Sequence, residues 1–229
     1  MHVPDGFLDA PTSVGTAVLA AGFVGFSLRR AVRAELDERT APLAGLVAVF
    51  VFAAQMINFP VGAGTSGHLL GGVLAAVLVG PATATLVLTV VLTVQAFLFA
   101  DGGVTALGTN ILLMGVIGLW VGYGVFRLVA RLLPRRPASV PVAAGVGAFV
   151  SVPVAALAFV GLYAVGGAAP IPLATLAAAM GGWHVLIGLG EAAITFLAVS
   201  SIVAARPDLV HGARGLLPRL EIRTPEAAQ

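Results

Sequence analysis

The sequence predicts an all-α integral membrane protein, a bundle of seven transmembrane helices with the N-terminus outside and the C-terminus cytoplasmic. Three observations carry this. The 229-residue chain is 59% hydrophobic and only 10% charged, where soluble domains carry about 25% charged residues. Its apolar runs have the length of spanning helices rather than of barrel strands, and its mean hydropathy is +1.05. All 12 basic residues are Arg. They form three groups: Arg29, Arg30, Arg33 and Arg39; Arg127, Arg131, Arg135 and Arg136; Arg206, Arg214, Arg219 and Arg223. The positive-inside rule makes these three groups cytoplasmic. The basic pI, near 9.9, therefore reflects membrane orientation and not nucleic-acid binding.

The elements follow from these markers. A first helix over 11–32 ends at the first Arg group, so its start lies outside. It has no basic segment before it, which argues for a retained helix over a cleaved signal peptide. A second helix over 41–59 runs outward to Asn58-Phe59-Pro60. The fourth, 81–100, ends at Asp101-Gly102-Gly103; the fifth, 108–132, ends at the second Arg group. The sixth covers 140–166, and the last lies within 173–205 and ends at the third Arg group. The stretch 60–80 is Gly-rich with a short apolar part, and could be re-entrant. Parity decides: without a crossing there, the second Arg group would lie outside. It is read as an extended loop followed by a short helix. Residues 1–205 thus form a single membrane domain, with an N-terminal metal-binding segment at 1–10 and a metal-site loop at 60–68. The tail 206–229 is expected to be a weakly ordered cytoplasmic segment. Gly118-x-x-x-Gly122 permits close helix packing, though such spacings arise readily among 29 Gly.

Few residues could carry chemistry. There are no Cys, which excludes thiolate metal sites and disulfides. A chain beginning Met1-His2 is expected to keep its Met, since initiator removal needs a small second residue. The Met1 amine, the His2 backbone N and the His2 imidazole can then hold one ion in two fused chelate rings. A second imidazole, from His68 in Gly64-Thr65-Ser66-Gly67-His68, would complete four nitrogens, suited to Ni(II), Cu(II) or Co(II). Taken alone, His2 reads equally as a polar residue at a loose terminus, and His68 as a hydrogen-bonded histidine packing a Gly-rich crossing. Asn58, Gln55, Ser66, Asp101 and Asn110 could support such a site, although helix capping is the simpler role for Asp101 and Asn110. His184 and Glu191 lie seven residues apart on one face of the last helix. Interhelical polar pairing accounts for them as well as a proton path would. His211 falls in the tail and is expected to be solvated.

Met1-His2-Val3-Pro4-Asp5-Gly6-Phe7-Leu8, Asn58-Phe59-Pro60-Val61, Gly64-Thr65-Ser66-Gly67-His68-Leu69-Leu70-Gly71, Asp101-Gly102-Gly103 with Asn110, and His184-x-x-Ile187-Gly188-x-Gly190-Glu191 together resemble the CbiM/NikM family. Members are substrate-capture components of energy-coupling factor transporters for cobalt and nickel. The resemblance spans 1–205 and implies a seven-helix bundle. It implies square-planar metal binding by Met1, His2 and His68, with Co2+ or Ni2+ as transported substrate and no organic cofactor. It further implies a small CbiN/NikN-like membrane subunit, a CbiQ/NikQ-like coupling protein and CbiO/NikO-like ATPases as partners. The setting would be the cytoplasmic (inner) membrane, and the role uptake for cobalamin biosynthesis or, as the alternative, nickel supply to metalloenzymes. The chain would then be no enzyme. The rival of another class is an intramembrane metal-dependent enzyme using His68, His184 and Glu191, which requires those three in one cavity open to substrate.

Overall fold

The structure, a computed structural model, describes residues 1–62 and 65–216. Gly64 of the loop motif, and Arg219 and Arg223 of the third Arg group, lie outside the described residues. The helices are α1 (Ala10–Ala34), α2 (Thr40–Gln55), α3 (Gly72–Val79), α4 (Pro81–Leu98), α5 (Leu107–Leu132), α6 (Ser139–Gly166) and α7 (Leu173–Ala205). Five of these, α1 and α4 to α7, are long and apolar enough to cross a membrane; α2 is shorter but apolar.

Local chemistry sets the boundaries. Asp9 caps α1 by accepting the Thr12 N–H at 2.8 Å, with Pro11 in the first turn. Asp37 accepts the N–H groups of Arg39 and Thr40 at the start of α2. Pro81 opens α4 where its missing N–H costs nothing. The buried Glu35 carboxylate accepts the Ala82 and Thr83 N–H groups there, satisfying donors left free at the helix start. Within α5, Ile111–Gly118 is wound as a π-helix. Thr85 of α4 donates to the Gly115 carbonyl in that segment at 3.0 Å. Pro153 inside α6 frees the Phe149 carbonyl. The facing residue of α7 is Gly188, where a Cβ would come within 2.9 Å of that oxygen. Gly118 and Gly122 sit where α5 presses on α6, against Ser151, Ala155 and Gly147.

Two departures from the sequence reading concern the middle and the end of the chain. The all-helical architecture is interrupted by a hairpin, β1 (Phe59–Gly62) with β2 (Thr65–Gly67), paired antiparallel with Phe59 opposite Gly67. α2 therefore stops at Gln55 and not at 59, because Pro60 enters a strand where it cannot extend a helix. After the hairpin, α3 has 8 residues and every one is buried. At about 1.5 Å per residue it is roughly 12 Å long, far short of the ~30 Å hydrocarbon core. The second departure is the tail. Residues 207–213 form two 3₁₀ turns, with Val210 and Ala213 buried in the core beside α3. Apolar contact orders this segment; the rest of the expected weakly ordered tail, 217–229, lies outside the described residues. His211, expected to be solvated, is only partly exposed, and its Nδ1 is buried.

The interior divides into two apolar clusters. One surrounds α3 with Val51, Leu88, Leu119, Phe126 and Val199. The other gathers Met1, Val3, Leu70, Leu92, Met114, Phe159, Met180 and Ile187 around the chain's first residues.

Candidate metal centre

The first three residues are buried in the bundle, and a turn at Asp5-Gly6 leads from them to α1. Met1, His2 and Val3 are 1%, 4% and 1% exposed, so the loose, solvated terminus is excluded by the geometry. Main-chain contacts hold the segment. Asn110 Oδ1 accepts the Val3 N–H at 2.7 Å, and Asn110 Nδ2 donates to the Val3 carbonyl at 3.2 Å. Gly103 N donates to the same carbonyl at 3.0 Å. Asp5 accepts from the Thr105 N–H and hydroxyl. Further along, Ala168 N donates to the Phe7 carbonyl and Asp9 N to the Gly166 carbonyl. The loop after α4 can lie this close because it lacks side chains. A Cβ on Gly103 would sit 2.4 Å from the Asp5 nitrogen, and Gly102 adopts φ +94 with the His2 ring 3.3 Å from its would-be Cβ.

The side chains of Asp101 and Asn110, for which capping was the simpler reading, turn instead to the N-terminal segment, although the Asp101 backbone N–H closes the end of α4 on the Gln95 carbonyl. No side chain caps the start of α5. Asp101 Oδ1 accepts from His2 Nδ1 at 2.9 Å, while Asp101 Oδ2 accepts from Asn58 Nδ2 at 3.2 Å. A carboxylate can only accept, so His2 carries its proton on Nδ1 and leaves Nε2 bare.

The second imidazole comes from the loop between β2 and α3. His68 is fully buried, and its ring stacks on that of His2 at 4.4 Å between centroids, with 28° between planes. Its Nδ1 donates to the Leu69 carbonyl at 2.8 Å. The loop is fixed from two sides. Glu191 of α7 accepts the Leu70 and Gly71 N–H groups at 2.8 and 2.6 Å, and Gln55 of α2 donates to the Leu70 carbonyl at 2.7 Å. Glu191 is thus a clamp on the start of α3, a polar pairing between elements of the kind expected for a buried carboxyl. His184 instead donates from Nδ1 to the Met180 carbonyl at 2.9 Å. Ser66 lies on β2, half-buried.

The electrostatics favour neutral nitrogens. Burial lowers the Met1 amine from 8.0 to about 4, against a weaker opposing pull from Asp101. Burial likewise lowers His2, although the Asp101 hydrogen bond opposes it. For Asp101, burial disfavours the charge, but the bond and charge of His2, with Asn58, hold the carboxyl below its ordinary value. Buried Nε2 atoms of His2, His68 and His184 have no hydrogen-bond partner among the described residues. No three His, Cys, Asp or Glu side chains converge as a metal cluster among the described residues.

Gln95 escaped the sequence reading. Fully buried in α4, its carboxamide lies beside the His2 ring without completing a hydrogen bond. An uncharged polar residue within an apolar run is the signal that could have found it. Asp5 and Thr105 offered no comparable signal, being ordinary loop residues.

Comparison with known proteins gives a consistent result. The family model described as CbiM, cobalt uptake substrate-specific transmembrane region, matches residues 2–209. The chain is 34% identical over 238 aligned residues to the fused nickel transport protein NikMN of Rhodobacter capsulatus, covering 99% of this chain and 67% of that one. It is 38% identical over 134 residues to the cobalt transport protein CbiM of Streptomyces coelicolor, covering 57% of each. A crystal structure of a truncated transition metal transporter superposes with a TM-score of 0.82 at 30% identity, covering 89% of this chain and 99% of that one. These relatives are named as metal transport proteins and not as enzymes.

Proposed function

Since the chain belongs to the CbiM family of cobalt uptake substrate-specific transmembrane regions, a cobalt and nickel transport family, we propose that it captures Co2+ or Ni2+ outside the cell for import by an ATP-driven energy-coupling factor transporter. The observation that carries the proposal is the shared burial of Met1, His2 and His68, with the two imidazoles stacked on each other.

In this reading four nitrogens surround the ion: the Met1 amine, the His2 backbone N, His2 Nδ1 and His68 Nε2. Chelation by a His side chain together with its own backbone nitrogen uses Nδ1, which closes a six-membered ring. His2 Nδ1 now bonds Asp101, so loading exchanges that bond for the metal. The imidazole proton moves from Nδ1 to Nε2 as Nδ1 takes the ion, and a half-turn of the ring presents Nε2–H to a carboxylate, the usual support for a metal-bound imidazole. Ionising the His2 amide requires a strong metal and releases protons. Mg and Ca, which need six or more oxygens, are rejected. The aliphatic packing around Met1, with Val3, Leu70 and Met180 in one cluster, shelters the amine from water.

The remaining parts of the proposal concern the whole transporter. Residues 1–205 act as one membrane domain of seven spans, with the site facing outside and the three Arg groups facing the cytoplasm. The hairpin and α3 together serve as the third span. A small CbiN/NikN-like component belongs to this reading, supported by a relative named as a fused NikMN protein. A CbiQ/NikQ-like coupling protein and CbiO/NikO-like ATPases would supply the energy, at the cytoplasmic membrane, for cobalamin biosynthesis or nickel enzymes. The test is radioactive Co2+ and Ni2+ uptake by cells expressing this chain alone or with all partner subunits. Uptake requiring the ATPase is expected. Equal uptake by the chain alone would instead make it a stand-alone transporter.

A further inference from the structure

Away from the metal centre, α2 and α7 flank α3 without closing over it. Between them runs a groove of about 210 Å³ with an apolar lining. Leu74 and Leu78 of the buried α3 form its floor, with Val47 of α2 on one side and Ala198 and Ile202 of α7 on the other. Leu43, Leu46, Val47 and Phe50 recur at helical spacing, so one face of α2 is turned to the groove. Leu46 and Phe50 stand at its mouth, 68% and 48% exposed. Leu43 also lines a second pocket, polar and about 100 Å³ in volume, with Asp37, Arg39, Thr40, Asp208 and Arg214. The groove thus runs from apolar to polar within one helical turn of Arg39, about 6 Å.

Positive charge in the polar pocket is only partly used. Asp37 is committed to the Arg39 and Thr40 N–H groups, and Asp208 to a two-pronged bond with Arg206. Arg214 reaches Asp37 only at 3.9 Å, and Arg39 has no ion pair among the described residues. We propose that groove and pocket together bind one anionic membrane phospholipid, its phosphate on Arg39 and Arg214 and one acyl chain in the groove over α3. Basic pockets between spanning helices suit anionic headgroups at the cytoplasmic face, and guanidinium groups hold phosphate oxygens with paired N–H bonds. An α-helix with its side chains is about 10 Å across. A groove of this volume takes an acyl chain whole but only single side chains of a helix. The proposal depends on the bundle lying in a bilayer with its Arg groups at the cytoplasmic face, and is independent of which metal is captured.

The test is native mass spectrometry of the purified full chain, exchanged in detergent with equal amounts of phosphatidylglycerol and phosphatidylcholine of the same acyl chains. One phosphatidylglycerol per chain is expected, retained about 10-fold over phosphatidylcholine, the scale of one or two basic contacts to an anionic headgroup. Arg39→Gln combined with Arg214→Gln should abolish the headgroup preference. Ala198→Trp, which fills the groove, should remove the bound lipid. Both variants should melt as wild type does, since neither change enters the core. A benzophenone side chain at position 46 gives a readout that needs neither variant. Irradiated in native membranes, it should add the mass of one anionic phospholipid to the chain in preference to zwitterionic ones. Cross-linking to a partner subunit alone would overturn the proposal, because a protein helix would then cover the groove. So would no retained lipid, equal retention of the two lipids, or a preference that survives the double substitution. Retention seen only after deletion of residues 217–229 would also overturn it, by placing the chain's own tail in the groove.

Discussion

Each of the three buried histidines near the N-terminus ties down one ring nitrogen and leaves the other bare. His68 and His184 anchor Nδ1 to backbone carbonyls, and His2 anchors it to Asp101. His68→Ala is expected to weaken Co(II) and Ni(II) binding severely, by isothermal titration, because it removes the second imidazole of the proposed site. His211→Ala, at the opposite cluster beside Phe126, should leave binding near wild type. Asp101→Asn should weaken binding by about 10- to 100-fold, since an amide no longer draws a proton firmly from His2. The Met1 amine sets a pH dependence. Its folded pKa, about 4, lies below the ordinary 8.0, so protons favour the unseated segment. The stability of the seated N-terminus is complete above pH 8 and falls as pH drops toward 4. Metal affinity, measured at stepped pH, should fall over that same window and not rise. His2 and His68 were legible as a pair because a second-position His and a Gly-flanked His are rare in so apolar a chain. For Asn110 the sequence left support of the site and capping both open, because its partner, the main chain of Val3, lies 107 residues away, a distance no local pattern encodes.

At the scale of elements, the metal-site loop depends on its clamp. Glu191→Ala would leave the Leu70 and Gly71 N–H groups buried and unpaired, a loss of about 3 kcal/mol. Thermal unfolding in detergent should show a lowered midpoint, with metal affinity reduced although Glu191 touches no ligand atom. The N-terminal segment depends on the bare loop beside it. Gly103→Ala places a Cβ within 2.4 Å of the Asp5 nitrogen, so it should displace Val3 and impair binding while leaving the helices intact. The long helices were readable from apolar runs ending at Arg groups, and α7 over 173–205 is an example. The hairpin at 59–67 was not, since Pro60 and its glycines lack the alternation that marks a strand. The π-helical turn at Ile111–Gly118 was equally hidden, because a uniformly apolar run has no period to shift. Val210 and Ala213 signal a packed segment only once α3 is known to lie against them.

For the whole molecule, the proposed orientation rests on arginine alone. The chain has no Cys, so single cysteines introduced beside Asp101 or Arg136 can report sidedness. A membrane-impermeant thiol reagent on intact cells should label the first and spare the second. The proposed transport direction requires that arrangement. The central claim is that the terminal amine is itself a ligand. Its most direct test is Co(II) and Ni(II) binding by purified protein carrying one additional residue before Met1. All side chains remain, yet the amine is moved away and becomes an amide. The account predicts that high-affinity binding is abolished while the fold, followed by thermal melting, persists; unchanged affinity would contradict it.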